Sequence, residues 1–229
     1  HYGNWAPNPS ETLMRLLLSM KDADGKPMVK GFLEDVTPIT DAEKAAVAAM
    51  PSIDKQLEKE LGVKDRDGMG ERIENLVMQP AIVVRGLKGG GVEDKGRNII
   101  EPEAKASLNI RLVPGQTPDR IIDQLTAHFT SQGMTVSEQE PPAGADRATW
   151  LKMAPRPGGY RAFRTPISTP MVQRLKAITN TLGGGDTLIT PTMGGSLPIY
   201  LFEDNLDMPI VILPVANHDN NQHGRNENI

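Results

Sequence analysis

The sequence predicts a mixed α/β and α+β protein: an α+β sandwich over residues 1–140, followed by part of an open α/β sheet over residues 145–229. Three observations predict it. Residues 104–112 alternate, with Ala104, Ala106, Leu108, Ile110 and Leu112 on one side and Lys105, Ser107, Asn109 and Arg111 on the other. That is the period of a strand with one apolar and one polar face. Helical spacing recurs on either side of it, at Leu13, Leu16, Leu17 and Met20 and again at Ile121, Ile122, Leu125 and Phe129. Beyond the polar stretch Pro141 to Ala145, which reads as a linker, the order becomes helix then short apolar strand, with polar clusters after each strand, the habit of an open α/β sheet.

Each element has a local cause. Asn8 caps the first helix, Pro9 fits its first turn, and Glu11 stands where a capping box needs a carboxylate. Thr40 and Glu43 open an alanine-rich second helix, and Ser52 to Leu61 form a third that Gly62 closes. Residues 63–75 are charged and read as a surface loop. Ala81 to Val84 is a buried strand, followed by a glycine-rich loop through Gly96. Thr117 and Pro118 open the helix that Gly133 ends, and Met134 to Gln139 read as a strand. In the second part, Thr169 and Pro170 start a helix carrying Val172, Leu175, Ile178 and Leu182, with Gly183 to Gly185 behind it. Thr187 to Thr190 and Pro209 to Val215 read as strands, the latter buried.

Composition excludes several classes. The net charge of -4 with no basic block leaves no nucleic-acid footprint. The apolar run Pro209 to Val215 is far too short to span a bilayer. With no cysteine, a disulfide framework, a thiol nucleophile and a Cys-ligated metal are ruled out, while the compartment stays open. Aromatic residues make up 4% of the chain, so its cores must rest on Leu, Ile, Val, Ala and Met. The opening His1-Tyr-Gly-Asn-Trp-Ala-Pro lacks an initiator Met and a signal-peptide pattern, and the whole reads as a segment of a longer protein.

Four clusters could carry chemistry. The segment Asn217 to Glu227 sets His218, His223, Asp219 and Glu227 after a predicted strand end, where functional groups of α/β sheets gather and where a neutral imidazole can ligate zinc. Read from composition alone it is rather a polar loop whose Asn and Asp side chains satisfy their own backbone. Arg111 projects from the polar face of its strand, where a guanidinium fork suits a carboxylate or a surface ion pair. The turn Gly194-Gly195-Ser196-Leu-Pro198 precedes a predicted helix and offers amide donors to an anion. It is not a nucleophile elbow, so Ser196 is no nucleophile. The fourth is the opening stretch itself. The glycines from Gly89 to Gly91 lack the spacing of a phosphate loop, and Tyr160, Arg161 and Arg164 read as a solvated basic face.

Taken in order along the chain, these segments resemble the co-catalytic zinc metallopeptidases of family M20, the family of carnosinase, aminoacylase, acetylornithine deacetylase, succinyl-diaminopimelate desuccinylase and carboxypeptidase G. The carriers are the opening His1 to Pro9, Asn98-Ile-Ile-Glu-Pro-Glu-Ala104 with Ile110-Arg111-Leu-Val-Pro114, the Gly194 to Pro198 turn, and Gln222-His223 with Asn226-Glu227. One departure stands in the second segment: Glu101 occupies the place of a family proline, with Pro102 shifted by one.

The resemblance implies a lid, or dimerisation, domain over residues 1–140 and the C-terminal part of a zinc-peptidase catalytic domain over 145–229. It implies that His223 is a metal ligand and that His218 is structural. Arg111, the Gly194-Gly195-Ser196 turn and Asn98, the last reaching across the dimer, would bind substrate. No catalytic residue is expected within this chain: the remaining ligands and the catalytic glutamate would lie upstream, and the lid histidine just before His1. The implied cofactor is a pair of zinc ions, with cobalt or manganese open to the same donors. The implied partners are a second copy of the chain, through the lid, and a dipeptide or N-acyl amino acid whose amide bond is hydrolysed; one histidine alone would leave the isolated chain inactive. The other reading is a non-catalytic dimerisation or peptide-binding module that reuses the lid.

Overall fold

The computed structural model describes residues 2–68, 70–155, 159–195, 197–214 and 225–226. Four helices precede the first strand: α1 (Pro9–Leu18), α2 (Asp41–Ala49), α3 (Asp54–Leu61) and α4 (Ile73–Leu76). Asn8 caps α1 by accepting from the Ser10 amide at 3.0 Å, one residue short of the Glu11 that a capping box would use. Around α2 the box is complete: the Thr40 hydroxyl accepts from the Glu43 amide while the Glu43 carboxylate accepts from the Thr40 amide. Gly62 ends α3 at φ 65°, a left-handed conformation that costs glycine nothing.

The loop after α3 is more than a solvated connection. Asp54, at the start of α3, accepts from the Ile73 amide at 3.0 Å, and Glu74 in α4 accepts from the Ile53 amide at 3.3 Å. The two helix starts thus cap one another. Arg66, from the loop, pairs with Asp54 and Glu58, each at 2.9 Å.

Strands β1 (Ala81–Lys88) and β2 (Lys105–Arg111) form an antiparallel pair running from Ala81↔Arg111 to Lys88↔Lys105. A bulge between Val84 and Gly86 shifts the alternation by one, so that Ile82, Val84 and Leu87 oppose Ile110, Leu108 and Ala106. The inner face meets α1 and α5 (Pro118–Ser131). Leu16, Met20, Val29, Phe32, Ile82, Ile121, Leu125, Phe129 and Met134 form the core, with Leu108, Ile110 and Leu112 packed against it. The alternation predicted for residues 104–112 is therefore the alternation observed, and helices back one face of an antiparallel pair.

After α5, β3 (Thr135–Ser137) pairs with β4 (Trp150–Lys152), and the pairing is parallel. Residues 138–149 supply the crossover that parallel pairing requires. Leu151 and Met153 pack on the same core.

The second region holds α6 (Pro170–Gly183) and α7 (Tyr200–Leu206). The strands predicted at Thr187–Thr190 and Pro209–Val215 are corrected: residues 187–190 and 209–214 are irregular, and Val215 lies outside the described residues. A strand needs a ladder partner for its amides and carbonyls, and here side chains take that place. The Asn180 carboxamide accepts from the Thr187 amide at 2.6 Å, and the Thr165 hydroxyl bonds both the amide and the carbonyl of Ile210. Nor is the second stretch buried, since Leu213 is 62% exposed. The mixed α/β class holds, with small two-stranded sheets in place of a larger one.

Candidate functional site

Arg111 ends β2 and is exposed, as the polar-face pattern requires. Its backbone pairs with Ala81, the first residue of β1. Gly194 stands beside Val77. Its φ is +63°, and a Cβ built on it would lie 3.3 Å from Val77 Cγ1. Both its conformation and the nearness of Val77 therefore favour glycine there. Val77 directly follows α4 and precedes Ala81 by four residues, a reach of at most about 14 Å. Gly195 is exposed beside it, with no atom within 4 Å of where its Cβ would stand. Helix α7 follows the turn, as the sequence predicts. Arg111 thus stands at the end of the β1–β2 pair, and the glycine turn stands beside the residue that follows α4.

Asn98 lies toward the opposite end of the hairpin from Arg111. It lies in an exposed bend of the β1–β2 connection, next to Arg97, which pairs with Glu101 at 2.7 Å. Arg97, Ile99, Ile100 and Glu101 line a small polar cavity of about 100 Å³ with Asn8, Ser10 and Gly89–Gly91. That places the bend at the Lys88↔Lys105 end of the hairpin. With a strand rise of about 3.3 Å per residue, β2 holds it roughly 20 Å from Arg111. Within one chain the two side chains serve different places.

Ser196, His218 and His223 lie outside the described residues. Among the described residues, no group of three or more His, Cys, Asp or Glu could hold a metal ion. The described donors therefore do not by themselves fit a metal centre.

The basic face predicted at Tyr160, Arg161 and Arg164 is corrected. The Arg164 side chain is 6% exposed and pairs with Glu43 of α2 at 2.8 Å. Arg161 pairs with Glu203 at 2.8 Å and with Asp204, and lies over the ring of Tyr200, on which Tyr160 stacks. What misled was local charge density, which says nothing of carboxylates brought in from afar. The available signal was Glu43: its capping role occupies one carboxylate oxygen in a helix start and leaves the other for a cation.

The geometry first defines a class: an α+β unit with helices on one face of an antiparallel pair, joined to a helical region whose glycine turn stands beside Val77 at the end of α4. Comparison with known proteins then gives the family. The family profile described as peptidase dimerisation domain matches residues 1–135, and the chain belongs to this M20 dimerisation family. Over its whole length it is 25% identical to the Beta-Ala-His dipeptidase of Rattus norvegicus and 24% identical to the Cys-Gly metallodipeptidase DUG1 of Saccharomyces cerevisiae. It covers 45% and 46% of those proteins, so the chain spans about half the length of the curated relatives it matches. Among solved structures, an M20 family metallo-carboxypeptidase from Sulfolobus solfataricus superposes with a TM-score of 0.69 at 21% identity, covering 88% of this chain and 49% of that one. Human carnosine dipeptidase 1 gives a TM-score of 0.68 at 20% identity, covering 99% and 47%. At these identities the superpositions speak to the fold, and they carry it through the second region as well.

Proposed function

We propose that the full-length protein is a metal-dependent peptidase that hydrolyses the amide bond of a small substrate bearing a free carboxylate, a dipeptide or an N-acyl amino acid. Membership of the M20 dimerisation family and relatives named as dipeptidases support hydrolysis of peptides. The finer reading adds a pair of zinc ions, with cobalt or manganese open to the same donors. His223 contributes one ligand, and the remaining ligands and the catalytic glutamate belong to chain outside this segment. Residues 1–140 act as the lid and residues 145–229 as the closing part of the catalytic domain.

The lid also joins two copies of the chain. In support, β1 pairs with β2 alone among the described strands, and Val83, Val84 and Leu87 along it are exposed. An open edge of that kind is a liability until another strand or subunit covers it. Asn98, about 20 Å along the hairpin from Arg111, then serves the partner's substrate.

Beside the ligand at His223, this chain's contribution to the reaction is recognition. Arg111 offers a fork of donors to the substrate carboxylate, and the Gly194-Gly195-Ser196 turn offers amides and a hydroxyl. The observation that supports this reading is the place of Arg111, exposed on the polar face at the end of β2. The test is kcat/KM of full-length Arg111→Ala on free-carboxylate substrates and on their carboxamide analogues. A charge-assisted bond contributes roughly 1.5–3 kcal/mol, so a fall of about ten- to a hundredfold is expected on carboxylates, with little change on carboxamides. Arg111→Lys keeps the charge, loses the fork and should not rescue. An equal loss on both substrates would mean that Arg111 holds the lid together.

A further inference from the structure

The segment from Tyr160 to Thr165 touches two regions of the molecule with different residues. Toward α7 and the chain beyond it, Arg161 pairs with Glu203 and Asp204, Tyr160 stacks on Tyr200, and Thr165 holds Ile210 through both its amide and its carbonyl. Toward the first region, Arg164 reaches Glu43 of α2 at 2.8 Å, and its other guanidinium nitrogen donates to the Pro38 carbonyl at 3.3 Å. The pair is nearly dry, with side chains 6% and 3% exposed. The partner oxygen of Glu43 is already committed, accepting from the Thr40 amide at 2.7 Å and its hydroxyl at 2.8 Å. A carboxylate so saturated has little freedom, and a buried guanidinium bound to it is fixed in place.

We propose that Arg164 is a positioning residue: its buried pair with Glu43 fastens the 160–165 strap to α2, and through Arg161 the strap sets α7 and the glycine turn before it in register with Arg111. The two halves of the carboxylate site come from different regions, Arg111 from β2 and the turn from the chain leading into α7. Some connection must hold their spacing, because a carboxylate gripped from two sides tolerates little displacement. Beside Val77 there is little room at Gly194, where a Cβ would stand 3.3 Å from Val77 Cγ1, but no directional bond is needed for that fit. The strap adds directional ones on both sides. A buried ion pair is better attested as a device for a unique arrangement than as a source of stability. The inference rests on the carboxylate reading above and extends it to a residue that touches no substrate.

The test is made in the full-length enzyme with Arg164→Met and Arg164→Lys, read three ways. In Arg164→Met, KM for free-carboxylate substrates should rise about tenfold while kcat moves less than threefold, and KM for carboxamide analogues should stay within twofold. Hydrogen exchange of amides in 191–206 should accelerate, with those of α1 and α5 unchanged. Arg164→Lys, which keeps the charge beside Glu43, should recover most of the carboxylate preference. If Arg164→Met proves poorly folded, Glu43→Gln decides, because it weakens the same pair from α2: a raised carboxylate KM with faster exchange in 191–206 supports the strap, and wild-type values in both overturn it. A uniform loss on both substrates, or unchanged exchange in 191–206, also overturns it. Failure of the carboxylate reading is separately visible. Should Arg111→Ala not discriminate between the substrate types, that reading falls whatever Arg164 does. Should Arg111→Ala discriminate while Arg164→Met leaves the KM ratio untouched, the strap alone falls.

Discussion

The two regions of this chain are built from equally apolar sequence but bury it differently. From α1 to β4 the apolar positions meet one another: Phe32, Met20 and Ile82 are each 1% exposed, and the helices find the inner face of β1 and β2. From α6 onward they largely do not. Leu182 is 82% exposed, Leu213 is 62% exposed, and Phe202 and Leu206 on α7 are exposed too. A hydrophobic run states where burial is favourable, but it does not supply the surface that covers it. The first region is a self-sufficient core, whereas the second is an apolar surface held to the first by directed polar bonds.

The sharpest way to break this comparison is to truncate one side chain in each region. Phe32→Ala should lower the unfolding free energy by about 3–5 kcal/mol, because it empties a fully enclosed site. Leu213→Ala in the same chain should change it by less than about 0.5 kcal/mol. Urea titrations of the two variants decide, and comparable losses would erase the distinction.

A second, smaller effect locates the edge of the first region. Leu151 and Met153 pack on its core from beyond the Pro141–Ala145 segment. A segment of residues 1–155 should therefore be more stable than one of residues 1–140 by about 1–3 kcal/mol, the burial of two partly covered apolar side chains. Both should sediment as dimers at micromolar concentration if the lid pairs two copies. A well-folded monomer would contradict that part of the proposal.

Two titrations sharpen the picture further. The hydrogen bond from the Ile73 amide holds the Asp54 carboxyl below its usual value of 3.8, helped by Ser52 and by the nearby Arg66 and Arg72. A depressed folded pKa gives stability that is present above 3.8 and lost as pH falls through the folded value. Acid should loosen α3 and α4 in that window, and Asp54→Asn should flatten the dependence seen by circular dichroism. The smallest effect belongs to His128, whose ring nitrogen lies 2.9 Å from the Ser19 hydroxyl between α5 and the end of α1. The Ser19 hydroxyl donates to Leu16, so it accepts from the imidazole. Desolvation holds this imidazole below its usual 6.5, so its share of stability is intact above 6.5 and declines as pH drops through the folded value. His128→Gln should remove that slope in thermal melts, and an unchanged slope would point to another group.

The legibility of the sequence follows the same division. The alternation at 104–112, the capping box at Thr40 and Glu43 and the periodicities of α1 and α5 are local signals, and each names its structure because its partners lie in the same core. The box proposed at Asn8 was half right, since Asn8 caps through Ser10 instead. Pro209 to Val215 has the composition of a buried strand, but no neighbouring strand stands among the described residues to accept it. Arg164 looked solvated because its carboxylate is far away in sequence. In the candidate site, Arg111 was readable from the face it occupies. The seat of Gly194 beside Val77 was not, because it joins positions more than a hundred residues apart.

The central claim is that the second region supplies part of a metal centre, and metal content of the full-length protein tests it most directly. His223→Ala should carry one zinc equivalent fewer than the wild type and lose most of its peptidase activity, while His218→Ala should keep both. Two bound zinc ions with normal turnover in His223→Ala would contradict the account.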